Sequence, residues 1–259
     1  MVNYSFTLAN FEIFLLILVR IASFVFVAPF FGDSNVPRKV KTGLSFCLAI
    51  FMFSVVPHTS MEYESAIGYG TIVVKEAITG LLIGFAAYVC NSIVLFAGNI
   101  IDMDIGLSMV TEFNPEMRMQ TTISGNLYYY LVMLLLITSD MHKYILRAVC
   151  DSFQVVPLGG AVFDYEHLLG SFTRYMGDLF IIGFRIFLPF FACIMILNCI
   201  LGIMAKVAPQ MNMFSVGMQL KILTGLVIMY LTVFMLPSVS DNIFKEIKTM
   251  VVSFIEGMY

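Results

Sequence analysis

Tryptophan is absent from these 259 residues, and charge is scarce: 12% of positions are charged, against about 25% in ordinary soluble domains. A solvated surface cannot be assembled from so few charges. With 60% apolar residues and a mean hydropathy of +0.93, lipid or a large protein partner must cover much of the chain. The net charge of −3 gives no basic field for nucleic acid. Without tryptophan, any interfacial aromatic belt falls to the 12 tyrosines and 25 phenylalanines. The five cysteines contain no C-x-x-C pair, and Cys193 and Cys199 lack metal-ligand spacing; they read as small buried hydrophobes. The three histidines are scattered, with no H-E-x-x-H, so no metal or other cofactor is expected. "GLSMV" (106–110) begins like a nucleophile elbow, but Val110 stands where the second glycine belongs. No phosphate-binding loop occurs. An enzyme is therefore not expected. No cation precedes the first apolar run, which Glu12 and Arg20 interrupt, so the N-terminus is expected to be retained as structure.

What is present is a series of long apolar stretches. Uncharged windows lie at 42–61, 77–101, 119–139, 186–205 and 222–240. Each is near the ~20 residues that a helix needs to cross a hydrocarbon core. A further apolar stretch covers 11–31. The expected fold is all-α and membrane-type, with six principal long apolar helices joined by shorter connecting helices. "APFFGDSNVPRKVK" (28–41) reads as a turn and "VPHTSMEYES" (56–65) as a polar connection. The stretch 150–175 is expected to hold a short amphipathic helix. In "KVAPQMNMFSVG" (206–217), Pro209 and Asn212 are expected to end one helix and Ser215 to start the next. Charge does not orient the helices. Arg38, Lys39 and Lys41 would place the first connection in the cytoplasm, yet six alternating spans then put Lys143, Arg147 and Arg174 outside, with Lys245 and Lys248. Either the spans are not all true crossings, or partners set the topology.

Gly80, Gly84, Ala87, Asn91 and Gly98 follow spacings that place small residues along one stripe of the third helix. Such a stripe lets backbones approach closely, within the chain or against a neighbouring subunit; Asn198 and Gly202 form a similar pair in the fifth. Pro189 lies mid-segment, where it removes a helical hydrogen bond. Arg20, Lys75, Arg185, Lys206 and Lys221 lie in or beside apolar helices. Each cation would cost ~2.5–3.5 kcal/mol at mid-bilayer. They either snorkel to an interface or pair with carboxylates such as Glu76, Asp102 and Asp104, or with a partner's.

One segment belongs to no helix. In "DMDIGLSMVTEFNPEMRMQTTISG" (102–125), Asn114-Pro115 disfavours continuing a helix, and Gly106 and Gly125 permit bending. Met103, Met109, Met117 and Met119 supply unbranched, polarizable side chains that adapt to irregular surfaces. Composition alone leaves two readings: a surface loop, or a soft segment closing a hole. Irregular backbone at membrane depth is tolerated only when buried in protein or lining a water-filled cavity.

Four blocks in order carry a resemblance over nearly the whole chain. "RIASFVFVAPFFGDSNVPRKVKTGLSFCLAI" (20–50) contains Arg, A-P-x-x-G and V-P-x-x-V-K. "EAITGLLIGFAAYVCNSIVLFAGNIIDMDIGLSM" (76–109) contains E-x-x-x-G-x-x-x-G-F and A-G-x-x-I-D. "SFQVVPLG" (152–159) follows. "LPFFACIMILNCILGIMAKVAPQMNMFSVGMQLKILTG" (188–225) contains L-G-x-x-x-K-x-x-P-Q-x-N-x-F-x-x-G, the most specific of the set. Together they resemble the FliR family of the type III secretion export gate, in its flagellar branch. Asp104, Asn114 and Lys206 depart from the residues usual in that family, which are Gln, Asp and Arg.

The resemblance implies a non-enzymatic subunit of the protein-export gate in the bacterial inner membrane, at the flagellar basal body. FliP, FliQ, FlhB and FlhA would be its partners, with membrane lipid and unfolded flagellar export substrates. It implies a FliP-like part (1–175) followed by a FliQ-like helical hairpin (176–259), one integrated unit without a soluble domain. It also implies that the loop after the third helix enters the channel as a plug, Gly106 to Thr122. Gly106, Leu107, Ser108, Met109, Val110, Thr111, Glu112, Phe113, Asn114, Pro115, Glu116, Met117, Arg118 and Met119 form its body, with Phe113, Asn114 and Pro115 near the tip. The alternatives are an injectisome-type paralogue of the same gate and, more remotely, a small-molecule secondary transporter with discontinuous helices, for which no internal inverted repeat is visible.

Overall fold

The computed structural model describes residues 8–32, 36–57, 66–109, 111–114, 119–210 and 212–259. Its helices are α1 Leu8–Val27, α2 Arg38–Phe53, α3 Ala66–Ile105, α4 Ile123–Thr138, α5 Met141–Val155, α6 Tyr165–Val207, α7 Met213–Thr232 and α8 Leu236–Glu256. A short 3₁₀ turn, Val233–Met235, joins α7 to α8. Two four-residue strands, β1 Thr111–Asn114 and β2 Met119–Thr122, form an antiparallel pair between α3 and α4. The protein is thus all-α and membrane-type, with one small hairpin.

Each of the six apolar stretches overlaps a helix, but their lengths diverge from the expectation. By length and composition, α1, α3, α6 and the run Phe214–Glu256 can cross a membrane. The helices in the 42–61 and 119–139 windows, α2 and α4, have 16 residues each. Residues 58–61 lie outside the described residues. In contrast α3 has 40 residues and α6 has 43, so each spans about 60 Å at 1.5 Å per residue.

Local chemistry explains the boundaries. Pro37 precedes α2, and Lys41 reaches back to donate to the Gly32 carbonyl at 2.8 Å, closing the α1–α2 turn. Phe30 takes a left-handed φ of 71° in that turn. Phe14 of α1 packs edge-on against Phe46 and Phe53 of α2. Asp164 caps α6 by accepting from the backbone N–H groups of Glu166 and His167. The 150–175 stretch holds the end of α5, an extended connection and the first turns of α6 rather than a helix of its own. The α6–α7 link corrects a second expectation. Asn212 opens α7 instead of closing α6: its side chain accepts from the Ser215 N–H at 3.4 Å. Pro189 lies inside α6, as its mid-segment position implied.

Two compact units divide the chain. The first comprises 1–90, 140–175 and 246–259. Its core joins Leu16, Ile21 and Phe24 of α1 to Ile83 and Ala87 of α3, Ile145 and Val149 of α5, and Val251 and Phe254 of α8. Its C-terminus is pinned by backbone bonds from Val162 to Met258 and from Asp164 to Gly257. The second comprises 91–139 and 176–245, with a core of Ile101, Ile105, Tyr129, Leu136, Phe190 and Ile194. Helices α3, α6 and α8 each contribute to both.

Candidate functional site

The described residues between α3 and α4 form more regular structure than their composition suggests. Gly106, at φ 94°, ends α3, and a 3₁₀ turn, Leu107–Met109, follows. The chain then runs into β1, which pairs with β2 in the register Thr111–Thr122, Glu112–Thr121, Phe113–Gln120 and Asn114–Met119. The expectation of irregular backbone is therefore corrected: two short strands satisfy each other's backbone groups. Phe113 lies within β1, and Asn114 is its last residue. Val110, Pro115, Glu116, Met117 and Arg118 lie outside the described residues.

The root of this hairpin is held by α3. Asp102 is fully buried and accepts from both the backbone N–H and the hydroxyl of Ser124, in the first turn of α4. It thereby supplies the cap that the residue at the N-cap position, Thr122, does not make. A carboxylate here meets the unpaired N–H groups and positive dipole end of α4. Thr122 instead donates to the Asn99 side-chain oxygen at 3.0 Å. One turn earlier, α3 and α4 touch backbone to backbone, since a Cβ added to Gly98 would stand 2.3 Å from the Gly125 Cα. Asp102 thus serves a helix end, and among the described residues no cation pairs with it. Among the described residues, one buried carboxylate oxygen of Asp104 has no hydrogen-bond partner. The cation acting on it is Lys221 of α7.

In the first unit, Arg20 and Glu76 come together, both fully buried. The guanidinium grips the carboxylate through Nε at 2.5 Å and Nη2 at 3.0 Å. Its Nη1 donates to the Val156 carbonyl at 2.9 Å and the Ser152 carbonyl at 3.3 Å. The Phe153 ring covers it at 4.3 Å. Glu76 also accepts from the Gly159 N–H at 2.9 Å, and Gly159 has a left-handed φ of 75°. Sequence reasoning singled out Arg20 and Glu76 but not Ser152, Phe153, Val156 and Gly159. The available signal was the S-F-x-x-x-P-L-G block, which surrounds the pair. Charge-assisted, bidentate geometry with the remaining donors satisfied is what a buried ion pair requires.

The small-residue stripe on α3 is consumed within the chain. A Cβ on Gly80 would lie 2.0 Å from the Arg20 carbonyl oxygen, and one on Gly84 would lie 3.0 Å from that of Phe24. Ala87 is fully buried, and Asn91 points its amide nitrogen at the Met133 sulfur, 3.0 Å away. Gly80, Gly84, Ala87, Asn91 and Gly98 all pack within the chain. Gly202 differs, because a Cβ there meets nothing within 4 Å; Asn198 is half-buried. Lys75 and Lys221 are half-buried, whereas Arg185 and Lys206 are exposed.

Outside the apolar spans, electrostatics are ordinary. Lys143 hydrogen-bonds Asp140 at 2.8 Å and holds its carboxyl below the usual range. Any stabilisation from that pair is present near neutral pH and fades as pH falls. Burial, aided by Asp151, pushes the Cys150 thiol up.

Residues 11–247 match the family described as bacterial export proteins, family 1. Among curated relatives, the flagellar biosynthetic protein FliR of Bacillus subtilis (strain 168) is 31% identical over 244 residues, covering 93% of each chain. FliR of Buchnera aphidicola subsp. Schizaphis graminum is 30% identical over 238 residues, 92% of this chain and 90% of its own. FliR of Escherichia coli (strain K12) is 25% identical over 230 residues, 89% and 87% of the two chains.

Proposed function

The chain belongs to the bacterial export proteins, family 1, and from that premise we propose that it is a non-enzymatic subunit of the flagellar protein-export gate. In this reading it lies in the inner membrane and assembles with FliP, FliQ, FlhB and FlhA. Residues 1–175 form a FliP-like part and 176–259 a FliQ-like hairpin. Together with its partners it walls a conduit for unfolded flagellar proteins. The work of export comes from outside this subunit.

The observation that carries the reading is the hairpin 106–122 on a clamped root. Two paired strands make a compact stopper. The cap from Asp102 and the Gly98–Gly125 contact fix where it emerges, and the small ladder of β1 and β2 pairs its described residues. A methionine-rich body adapts to an imperfect opening and yields when a chain is driven through. The hairpin keeps the resting conduit closed to ions.

Deleting 108–118 tests this. The deletion spares Asn99, Asp102, Thr122 and Ser124, so the gate still assembles, while ion permeability of cells rises. Unchanged permeability in assembled complexes would sink the gating role. Gene neighbourhood separates the flagellar from the injectisome reading, because the two operons differ in content.

A further inference from the structure

Arg185 lies within the long apolar helix α6, whose most apolar window is only 17% buried. It is exposed, and among the described residues it meets no carboxylate and makes no hydrogen bond. Its face of the helix is otherwise apolar: one turn to either side, Ile181 is 58% exposed and Leu188 is 56% exposed. Beside it opens a cavity of about 70 Å³, lined among others by Tyr128, Pro189, Thr232, Ser238 and Asn242. Among the described residues of that lining, Arg185 is the only charged group. Tyr128 and Thr232 already share a hydrogen bond of 2.7 Å, so neither needs a further partner. Pro189, with no N–H, leaves the Arg185 carbonyl without its usual helical donor.

We propose that Arg185 and this cavity form a socket for a carboxylate presented by a transmembrane helix of a partner subunit. The inference rests on the export-gate reading and names the chemistry of one of its contacts. Charge decides the occupant. An unpaired guanidinium on an apolar face is expensive in lipid, and the surrounding surface asks for apolar side chains. An Asp or Glu flanked by aliphatic residues satisfies both demands, and a carboxylate matches the guanidinium fork in geometry as well as charge. The volume admits a side-chain tip. Arg20, in α1, already has its carboxylate, Glu76, within the chain; Arg185 awaits one from outside.

The test uses the full chain coexpressed with its neighbouring membrane subunits and purified in mild detergent. Arg185→Lys, Arg185→Leu and Arg185→Glu are compared with wild type for retained partner per copy in the membrane. Truncating one member of a desolvated charge pair weakens binding by more than about tenfold. Arg185→Leu and Arg185→Glu should therefore lose the partner, Arg185→Lys should keep most of it, and reversing the partner's carboxylate to Arg should restore the Glu variant. Arg185→Leu inserts more easily than wild type, so its loss of partner is not a folding failure. Full retention by Arg185→Leu and Arg185→Glu overturns the proposal. Loss of an anionic lipid instead of protein does so too, assigning the site to a headgroup. A wild-type chain that brings down no membrane subunit sinks the export-gate reading as well, which distinguishes the two failures.

Discussion

Arg20 and Glu76 lie 56 residues apart, on α1 and α3, and neither side chain is exposed to solvent. Removing one member strands the other, which costs about 3–5 kcal/mol. Glu76→Gln and Arg20→Leu should each lower the steady-state membrane level of the protein several-fold, and Arg20→Lys should not rescue it, because an ammonium cannot reproduce the fork. Immunoblotting of membranes checks this; a wild-type level for Glu76→Gln would remove the pair from the account of stability. Glycine positions give a sharper contrast. Gly80→Ala drives a methyl into the Arg20 carbonyl and should cost about 1–3 kcal/mol. Gly202→Ala enters open space and should gain about 0.5–1 kcal/mol of helix stability. The residue chemistry was legible unevenly. Charges stranded in apolar helices announce themselves, so Arg20 and Glu76 stood out. Backbone acceptors such as Val156 O leave no mark in a sequence, and Lys41 read as a topology signal although it closes a turn at Gly32.

Among the elements, the apolar helices were readable because period and length encode them, whereas the hairpin was not. "TEFN" and "MQTT" flank no Asn-Gly or Asp-Gly turn, and Asn114-Pro115 read as a break rather than the approach to one. The cap of α4 was invisible for a related reason: it comes from Asp102, on another element, and local rules see only neighbours. The hairpin's anchorage makes a prediction of its own. Asp102→Ala leaves the Ser124 N–H unpaired at a buried helix start, and losing such a cap costs about 1–2 kcal/mol. The cost falls on the hairpin root, so amide exchange over 119–126 should accelerate more than over 128–136 in the same helix. Uniform acceleration across α4 would show that Asp102 supports the whole element and not the emergence point of the hairpin.

For the whole molecule, α3 and α6 are about twice as long as a ~30 Å hydrocarbon core requires. Helices that overshoot so far carry part of their length beyond the bilayer, or into protein that shields them from it. Counting alternating crossings then loses its meaning, which is a physical reason for the unreadable charge asymmetry around Arg38, Lys143 and Lys245. Along α6, large side chains such as Ile196, Ile203 and Val207 are more than 60% exposed, far more apolar surface than a monomer in water tolerates. Five free cysteines report on what covers it. Cys47, Cys193 and Cys199 are exposed, Cys90 is buried, and Cys150 is half-buried with a thiol pushed up by its surroundings. In detergent, the chain expressed without partners should react rapidly with a small maleimide at Cys193 and Cys199, slowly at Cys150 and not at Cys90. If sister subunits cover α6, coexpression should slow Cys193 and Cys199 by at least about tenfold, since thiol reactivity follows access as well as ionisation. Cys150, on α5, serves as the internal reference within each sample. Equal rates at Cys193 and Cys199 with and without partners would mean that lipid alone covers the long helix, and the case for an assembly built along α6 would fall.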